Sequence, residues 1–262
     1  MVYDLSDFAV WAIMHLTARA AMTSVVNPLH VSRFLRVYDD AAAQKEIKIS
    51  IGFDFHEYVS ITRATPTKGR TYPNFRPDRS PIKPGEGFWV LGVDKDEEVA
   101  LLLAVRLYDL SHSNFAELLE SLRAFYSDPT LHAHPQDRCT CIAANAKKIT
   151  GKVAYIGDRW LRRDLRGQGV SKILAGIARG VTFAMWTPDF VCGFASQPLI
   201  EKGAVYGYPH YQNAGWKLRL VEEDIVNDNW LVWQTGDELR SLVDRHERSE
   251  LRDYSGMTQW QL

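Results

Sequence analysis

The chain of 262 residues has room for one large domain or two small ones and for a substantial core. Apolar residues make up 46% and charged residues 24%, ordinary proportions for a globular protein, which excludes a disordered or fibrous chain. Lysine plus arginine number 31 against 32 aspartate plus glutamate, a net charge of −1, so no global field would gather nucleic acid or an anionic membrane. The 3 cysteines make no disulfide framework, and a reducing, cytoplasmic setting is the default expectation. Asp4 and Asp7 stand where a signal peptide would be basic, and no apolar run reaches about 18 residues, so neither a signal peptide nor a membrane span is expected.

Residues 6–22, beginning Ser6-Asp7-Phe8, read as a capped helix that is apolar on most sides. A second helix is expected after Asn27, with Pro28 in its first turn and Val31, Phe34, Leu35 and Tyr38 on one face. Ile47, Ile49, Ile51, Phe53 and Phe55 alternate with other residues, which is the period of a strand. Thr65 to Gly85 holds Pro66, Pro73, Pro77, Pro81 and Pro84 and reads as a long loop, either a basic acceptor-binding lid or a surface insertion. Lys68, Arg70, Arg76, Arg79 and Lys83 interleave there with aromatics, as in single-strand binders, but the overall charge balance argues against nucleic acid.

Phe88 to Val93 and Val99 to Leu107 flank the charged turn 94–98 and form a predicted hairpin. An insertion follows over 111–150. It carries an amphipathic helix over Asn114 to Tyr126, and it groups His132, His134, Cys139 and Cys141 within ten residues. Imidazole and thiolate suit zinc, yet H-x-H and C-x-C are not the spacings of common structural zinc sites, so no metal is assigned.

The stretch that carries chemistry is Leu161-Arg162-Arg163-Asp164-Leu165-Arg166-Gly167-Gln168-Gly169-Val170-Ser171. A strand over Lys152 to Leu161 passes through two glycines into a helix ending near Trp186. The helix start offers unpaired N–H groups and a positive dipole end to a phosphate. Gly167 and Gly169 let backbone approach the anion, and Arg166 adds a forked donor. Neither G-x-x-x-x-G-K-[ST] nor an early G-x-G-x-x-G is present. Phe190 to Ala195 suits a buried parallel strand, and a broken helix is expected over 199–213. Trp216 to Val221 and Asn229 to Gln234 read as closing antiparallel strands, followed by a charged helix over 237–251.

Arg166, Gly169 and Ser171 match the Gln/Arg-x-x-Gly-x-Gly/Ala loop with which members of the GNAT (Gcn5-related N-acetyltransferase) family bind acyl-CoA, with serine departing from the pattern at the last position. Downstream, Tyr211-Gln212-Asn213-Ala214-Gly215-Trp216 resembles the family's Tyr-x-x-x-Gly-Phe segment. The resemblance covers mainly 87–235. It implies one α/β domain over 1–262 with a GNAT-type mixed, mostly antiparallel sheet flanked by helices. N-terminal helices would lie at 1–46, the long loop at 65–85, the insertion at 111–150 and the acyl-CoA-binding core at 152–235.

It further implies transfer of an acetyl or similar group from acetyl-CoA to an amine acceptor, a small molecule or a protein. Gly167, Gln168, Gly169, Val170 and Ser171 would hold the pyrophosphate with Arg166, and the pantetheine arm would pair with backbone near Leu161. Tyr211 is the expected general acid for the thiolate and Asp158 a candidate base, with pairing to Arg159 or Arg163 as its structural alternative. Many family members carry an asparagine where this chain has Ala204, which leaves the pantetheine contacts on that side open. A GNAT-like module that binds acyl-CoA or a partner without turnover is the alternative, and the N-terminal helices leave room for a homodimer.

Overall fold

The computed structural model describes residues 2–4, 26–203 and 207–245. The expected helix over 6–22, position Ala204 and the end of the terminal helix lie outside these residues. Among the described residues nine strands form one sheet: Val2–Asp4 (β1), Lys48–Gly52 (β2), Gly87–Val93 (β3), Val99–Leu110 (β4), Arg138–Thr140 (β5), Gly151–Leu161 (β6), Phe190–Ala195 (β7), His210–Leu220 (β8) and Ile225–Thr235 (β9). Their order across the sheet is β1-β2-β3-β4-β6-β7-β9-β8-β5. Every neighbouring pair is antiparallel except β6 with β7. This is the mixed, mostly antiparallel sheet flanked by helices that the resemblance implied, with the insertion contributing edge strand β5.

One face is covered by the helices Pro28–Ala43 and Val170–Trp186, joined by helical residues 236–245 through Leu239 and Val243. The two long helices approach closely because Gly176 and Gly180 face the first helix. A Cβ on Gly176 would lie 2.3 Å from the Tyr38 ring, and one on Gly180 would lie 2.5 Å from Leu35. Val31, Phe34, Leu35, Ile173, Leu174 and Ile177 fill the layer between helices and sheet, the stripe that their helical spacing predicts. Full burial of each such side chain stabilises the fold by about 1.5–3 kcal/mol.

The other face is aromatic, with Phe55, Tyr58, Phe75, Trp89, Phe115, Phe125, Tyr155 and Trp216 in one buried cluster. Part of it comes from a helix that the strand pattern conceals. Phe55–Ala64 is helical, so β2 ends at Gly52 and Phe55 opens a new element. Asp54 caps it by accepting from the His56 N–H at 2.8 Å, and Asp54-x-x-Glu57 is the capping signature that marks the start. The amphipathic helix expected over 114–126 stops at Glu120, because Leu122 takes a left-handed φ of 59°. Phe115, Leu119, Leu122 and Phe125 are buried all the same.

The proline-rich stretch 65–85 is an ordered wall. The buried guanidinium of Arg106 on β4 gathers it: Nη1 donates to Asn74 O (2.8 Å) and Ser80 Oγ (2.7 Å), and Nη2 to Pro81 O (2.9 Å). Trp160 Nε1 donates to Thr67 O at 3.1 Å, and Thr71 Oγ1 to Thr62 Oγ1 at 2.7 Å. The broken helix expected over 199–213 is a short helix, Gln197–Glu201, and β8 begins already at His210. Pro209 fits this start, since a proline is tolerated just ahead of a strand's first ladder bond. In the insertion, Cys139 and Cys141 are buried, and burial pushes the Cys141 thiol up to about 11. Among the described residues no three His, Cys, Asp or Glu side chains cluster as a metal site would require.

Candidate active site

The site begins where β6 leaves β7. The two strands pair only at Val153↔Phe190, Ala154↔Val191 and Tyr155↔Cys192, although β6 runs on to Leu161 and β7 to Ala195. They splay beyond Tyr155, so that the facing edges of residues 156–160 and 193–195 border an opening in the sheet. Open strand edges present N–H and C=O groups to any ligand that carries amides.

At the upper end of the opening the chain turns through residues 162–169 into the Val170–Trp186 helix. Gly167 and Gly169 have φ of 80° and 81°, and no atom lies within 4 Å of where their side chains would stand. The turn therefore exposes bare backbone ahead of a helix N-terminus, where the first N–H groups have no partner within the helix. Arg162 fixes the approach through Asp94 at 2.6 Å and Asp164 at 2.9 Å. Hydrogen bonds to Arg162 hold both carboxyls below their ordinary range. Gln168 Nε2 donates to Asp164 O at 2.7 Å, and Arg166 Nε to Leu161 O at 3.2 Å. The Leu161 carbonyl is thus engaged by the loop itself, and the open edge lies before it in the strand, at residues 156–160. Val170 is buried and offers the site only its backbone, while Ser171 is half-buried.

Lower on β6, Ala104↔Gly157 is followed by Leu102↔Trp160, so Asp158 and Arg159 together oppose Leu103. This is a β-bulge, and Asp158 takes φ 47°. The bulge sends the two side chains apart. Asp158 enters the aromatic layer, where its carboxylate accepts from Tyr58 Oη at 2.7 Å and pairs with Lys68 Nζ at 2.8 Å. Burial raises the Asp158 pKa, while the Lys68 charge and the Tyr58 hydrogen bond pull it down. Neither Arg159 nor Arg163 is its partner. Arg159 acts instead on Arg179 and Tyr208 of the helix layer.

The opening leads into a cleft of about 590 Å³ bordered by Lys68, Tyr72, Asp158, Phe194, Trp216 and Asp224 among others. Phe194 and Trp216 stack at 3.8 Å to form an aromatic floor. Glu223 is also at the cleft but is buried against Arg76 (2.6 Å) and Arg79 (3.3 Å).

The structure brings Asp158 to the opening and sets the glycine loop above it, but Tyr211 does not join them. It lies on β8 opposite Val232, is 52% exposed, leans on Trp230 and does not border the cleft. The earlier start of β8 removes it from the helix end where the motif implied it. Tyr208, three residues earlier in the aromatic run, lies beside Gly193. It is 4% exposed, and its Oη lies 3.6 Å from where a Cβ on Gly193 would stand, one residue past the last β6–β7 pair. Among the described residues that hydroxyl is buried with no hydrogen-bond partner, and burial pushes it up to about 12. The run Tyr206, Tyr208, Tyr211 held the signal, but only the fold tells which tyrosine faces the opening.

No family model matches this chain, and no curated protein matches it. Among solved structures it is similar to NAA60 of Arabidopsis thaliana in complex with acetyl-CoA, at 13% identity and TM-score 0.43 over 72% of this chain and 98% of that one. It is similar to a mutant form of the spermidine/spermine N-acetyltransferase SpeG from Vibrio cholerae, at 9% identity and TM-score 0.40 over 75% and 98%. FeeM, an N-acyl amino acid synthase from uncultured soil microbes, matches at 11% identity and TM-score 0.41 over 74% and 93%.

Proposed function

We propose that this chain is an N-acyltransferase of the GNAT type that transfers an acyl group from CoA to an amine. The observation that carries this reading is the continuity of the site: a bare glycine turn and helix start stand directly over an opening between two parallel strands.

In this reading the pyrophosphate lies against the N–H groups of Gly167 to Ser171, and the pantetheine amides run down the open edge of residues 156–160. The thioester then reaches the foot of the opening, between Asp158 on one side of the sheet and Tyr208 on the other. An amine arriving through the aromatic cleft attacks the carbonyl carbon, so that a C–N bond forms and the C–S bond breaks. Asp158, whose proton affinity burial raises while Lys68 and Tyr58 pull it the other way, accepts the proton that the amine gives up. The Tyr208 phenol keeps its proton at neutral pH and donates it to the leaving sulfur. Proximity of the two reactants in one opening supplies a further large share of the rate.

No described helix is long and apolar enough to cross a membrane. The cleft is the acceptor's side, and the amine it receives is a small molecule or an exposed protein amine.

The test is a calorimetric titration with acetyl-CoA, followed by thiol release in the presence of an amine panel. One-to-one binding is expected, with a stabilisation of about 2.7 kcal/mol at 100 times the dissociation constant. Failure of CoA and every acyl-CoA to bind would leave the glycine loop as a tight turn and refute the proposal. Binding without turnover on any amine would favour a module that only holds acyl-CoA.

A further inference from the structure

Four of the aromatic rings that border the cleft form one array. Phe194 on β7 and Trp216 on β8 stack at 3.8 Å and 12°, Tyr72 lies nearly parallel to Trp216 at 6.2 Å, and Tyr155 is tilted onto Phe194 at 5.9 Å. Trp216 and Tyr155 are buried while Phe194 and Tyr72 are half-buried, so the ring faces left for a ligand are chiefly those of the latter pair.

Two of the three carboxylates that border the cleft are engaged by its own walls, Asp158 with Lys68 and Tyr58, Glu223 with Arg76 and Arg79. The third, Asp224, stands exposed, where water and salt screen it. Beyond its base, the cleft therefore offers an acceptor flat apolar surface more than charge. At about 590 Å³ it has the size that encloses a small molecule, and two of its walls are tied together: Arg70 Nη1 donates to Glu222 O at 3.1 Å, and Asn227 Nδ2 to Tyr72 Oη at 2.9 Å. Phe194 and Asp158 lie on the facing edges of β7 and β6, and both side chains enter the aromatic layer. Adjacent strands stand about 4.8 Å apart where they pair and farther where they splay. A short alkyl arm on a ring at Phe194 carries an amine across that gap.

We propose that the acceptor is an arylalkylamine, a small molecule whose aromatic ring lies on the Phe194–Trp216 floor and whose primary amine reaches Asp158 on a short alkyl arm. The inference rests on the acyltransferase reading and narrows it from amines at large to this class. The step is unchanged: the amine nitrogen bonds to the thioester carbon, the C–S bond breaks, the amine's proton passes to Asp158, and CoA leaves as the thiol with the proton from Tyr208.

The experiment titrates the full chain with acetyl-CoA and then compares kcat/KM, by thiol release, for 2-phenylethylamine, 2-cyclohexylethylamine and spermidine. The first two share carbon number and arm and differ in the π-face. 2-Phenylethylamine should be preferred about fivefold over its cyclohexyl counterpart, the effect of one aromatic pair, and by more over spermidine. Phe194→Leu, which removes the ring and keeps an apolar side chain, should bring the phenyl-to-cyclohexyl ratio toward one, with a thermal melt to show that the variant is folded. Equal or better use of the cyclohexyl amine or of spermidine by the wild-type chain overturns the inference and leaves the acyltransferase reading intact. So does a folded Phe194→Leu variant that keeps the full ratio. Binding of acetyl-CoA with no turnover of any of the three overturns the inference, and silence across a wider amine panel takes enzymatic transfer with it. If acetyl-CoA does not bind, both fall together.

Discussion

The glycine turn and the proline-rich wall flank the same strand and are held in opposite ways. The turn is contiguous chain: residues 161–171 close on themselves through Arg162, Arg166 and Gln168, and what they offer is backbone. The wall is assembled from afar. Lys68 meets Asp158 across 90 residues, and Arg76 meets Glu223 across 147. A site made of backbone depends on conformation and open space, whereas a site made of distant side chains depends on the packing that brings them together. The first should break at one residue with the fold intact, and the second should loosen whenever its anchors do.

The sharpest break is Gly169→Glu. At φ 81° an L side chain costs about 1–2 kcal/mol of strain, a modest loss of stability, while its carboxylate would stand against the pyrophosphate in the proposed mode of binding. Acetyl-CoA affinity should fall more than about a hundredfold, about 2.7 kcal/mol, with the melting transition still cooperative. Unchanged affinity would remove the cradle.

Arg106→Met tests the other half. It strips the wall of its buried anchor and leaves carbonyls unsatisfied, which should cost about 2–3 kcal/mol in chemical denaturation. In turnover it should raise the KM for the acceptor while acetyl-CoA affinity holds. An equal loss on both substrates would show that the halves are not separable.

The smallest effect separates the two tyrosines. Tyr208→Phe should lower kcat about tenfold or more, and Tyr211→Phe should leave it within about twofold. Because burial pushes the Tyr208 hydroxyl up to about 12, its proton is still present as the amine acceptor deprotonates. The wild-type rate should therefore rise with pH through the amine's titration and fall from this group only as pH approaches about 12. A full loss in Tyr211→Phe would return the acid role to the exposed residue.

The contrast also explains what could be read from the chain before it was folded. The hairpin over 88–107, strand β6, the glycine turn and the helix after it follow from local pattern alone, and the structure has them, with the hairpin running from Gly87 to Leu110. The helix Phe55–Ala64 was hidden because Phe53 and Phe55 continued the alternation of Ile47, Ile49 and Ile51, although Asp54 and Glu57 carried the stronger local signal. Arg106 is one polar residue in an apolar strand, and nothing adjacent to it names Asn74 or Ser80 as its partners. Tyr208 and Tyr211 differ in sequence only by position in an aromatic run. Where β8 begins decides which of them is buried, and that is settled by pairing with β9.

The bulge at Asp158 and Arg159 makes the length of β6 part of the site. Two residues of β6 oppose one of β4 there, so one deleted residue would let the strands pair without interruption, both flanks keeping their partners and faces and a single residue facing Leu103. The shortened strand would be the more regular β-structure, yet no single residue could then divide an acid and a base between the two sides. At this point sheet regularity and the site compete, and tolerance of length changes in this chain should be lowest here and highest in the connections that touch neither half.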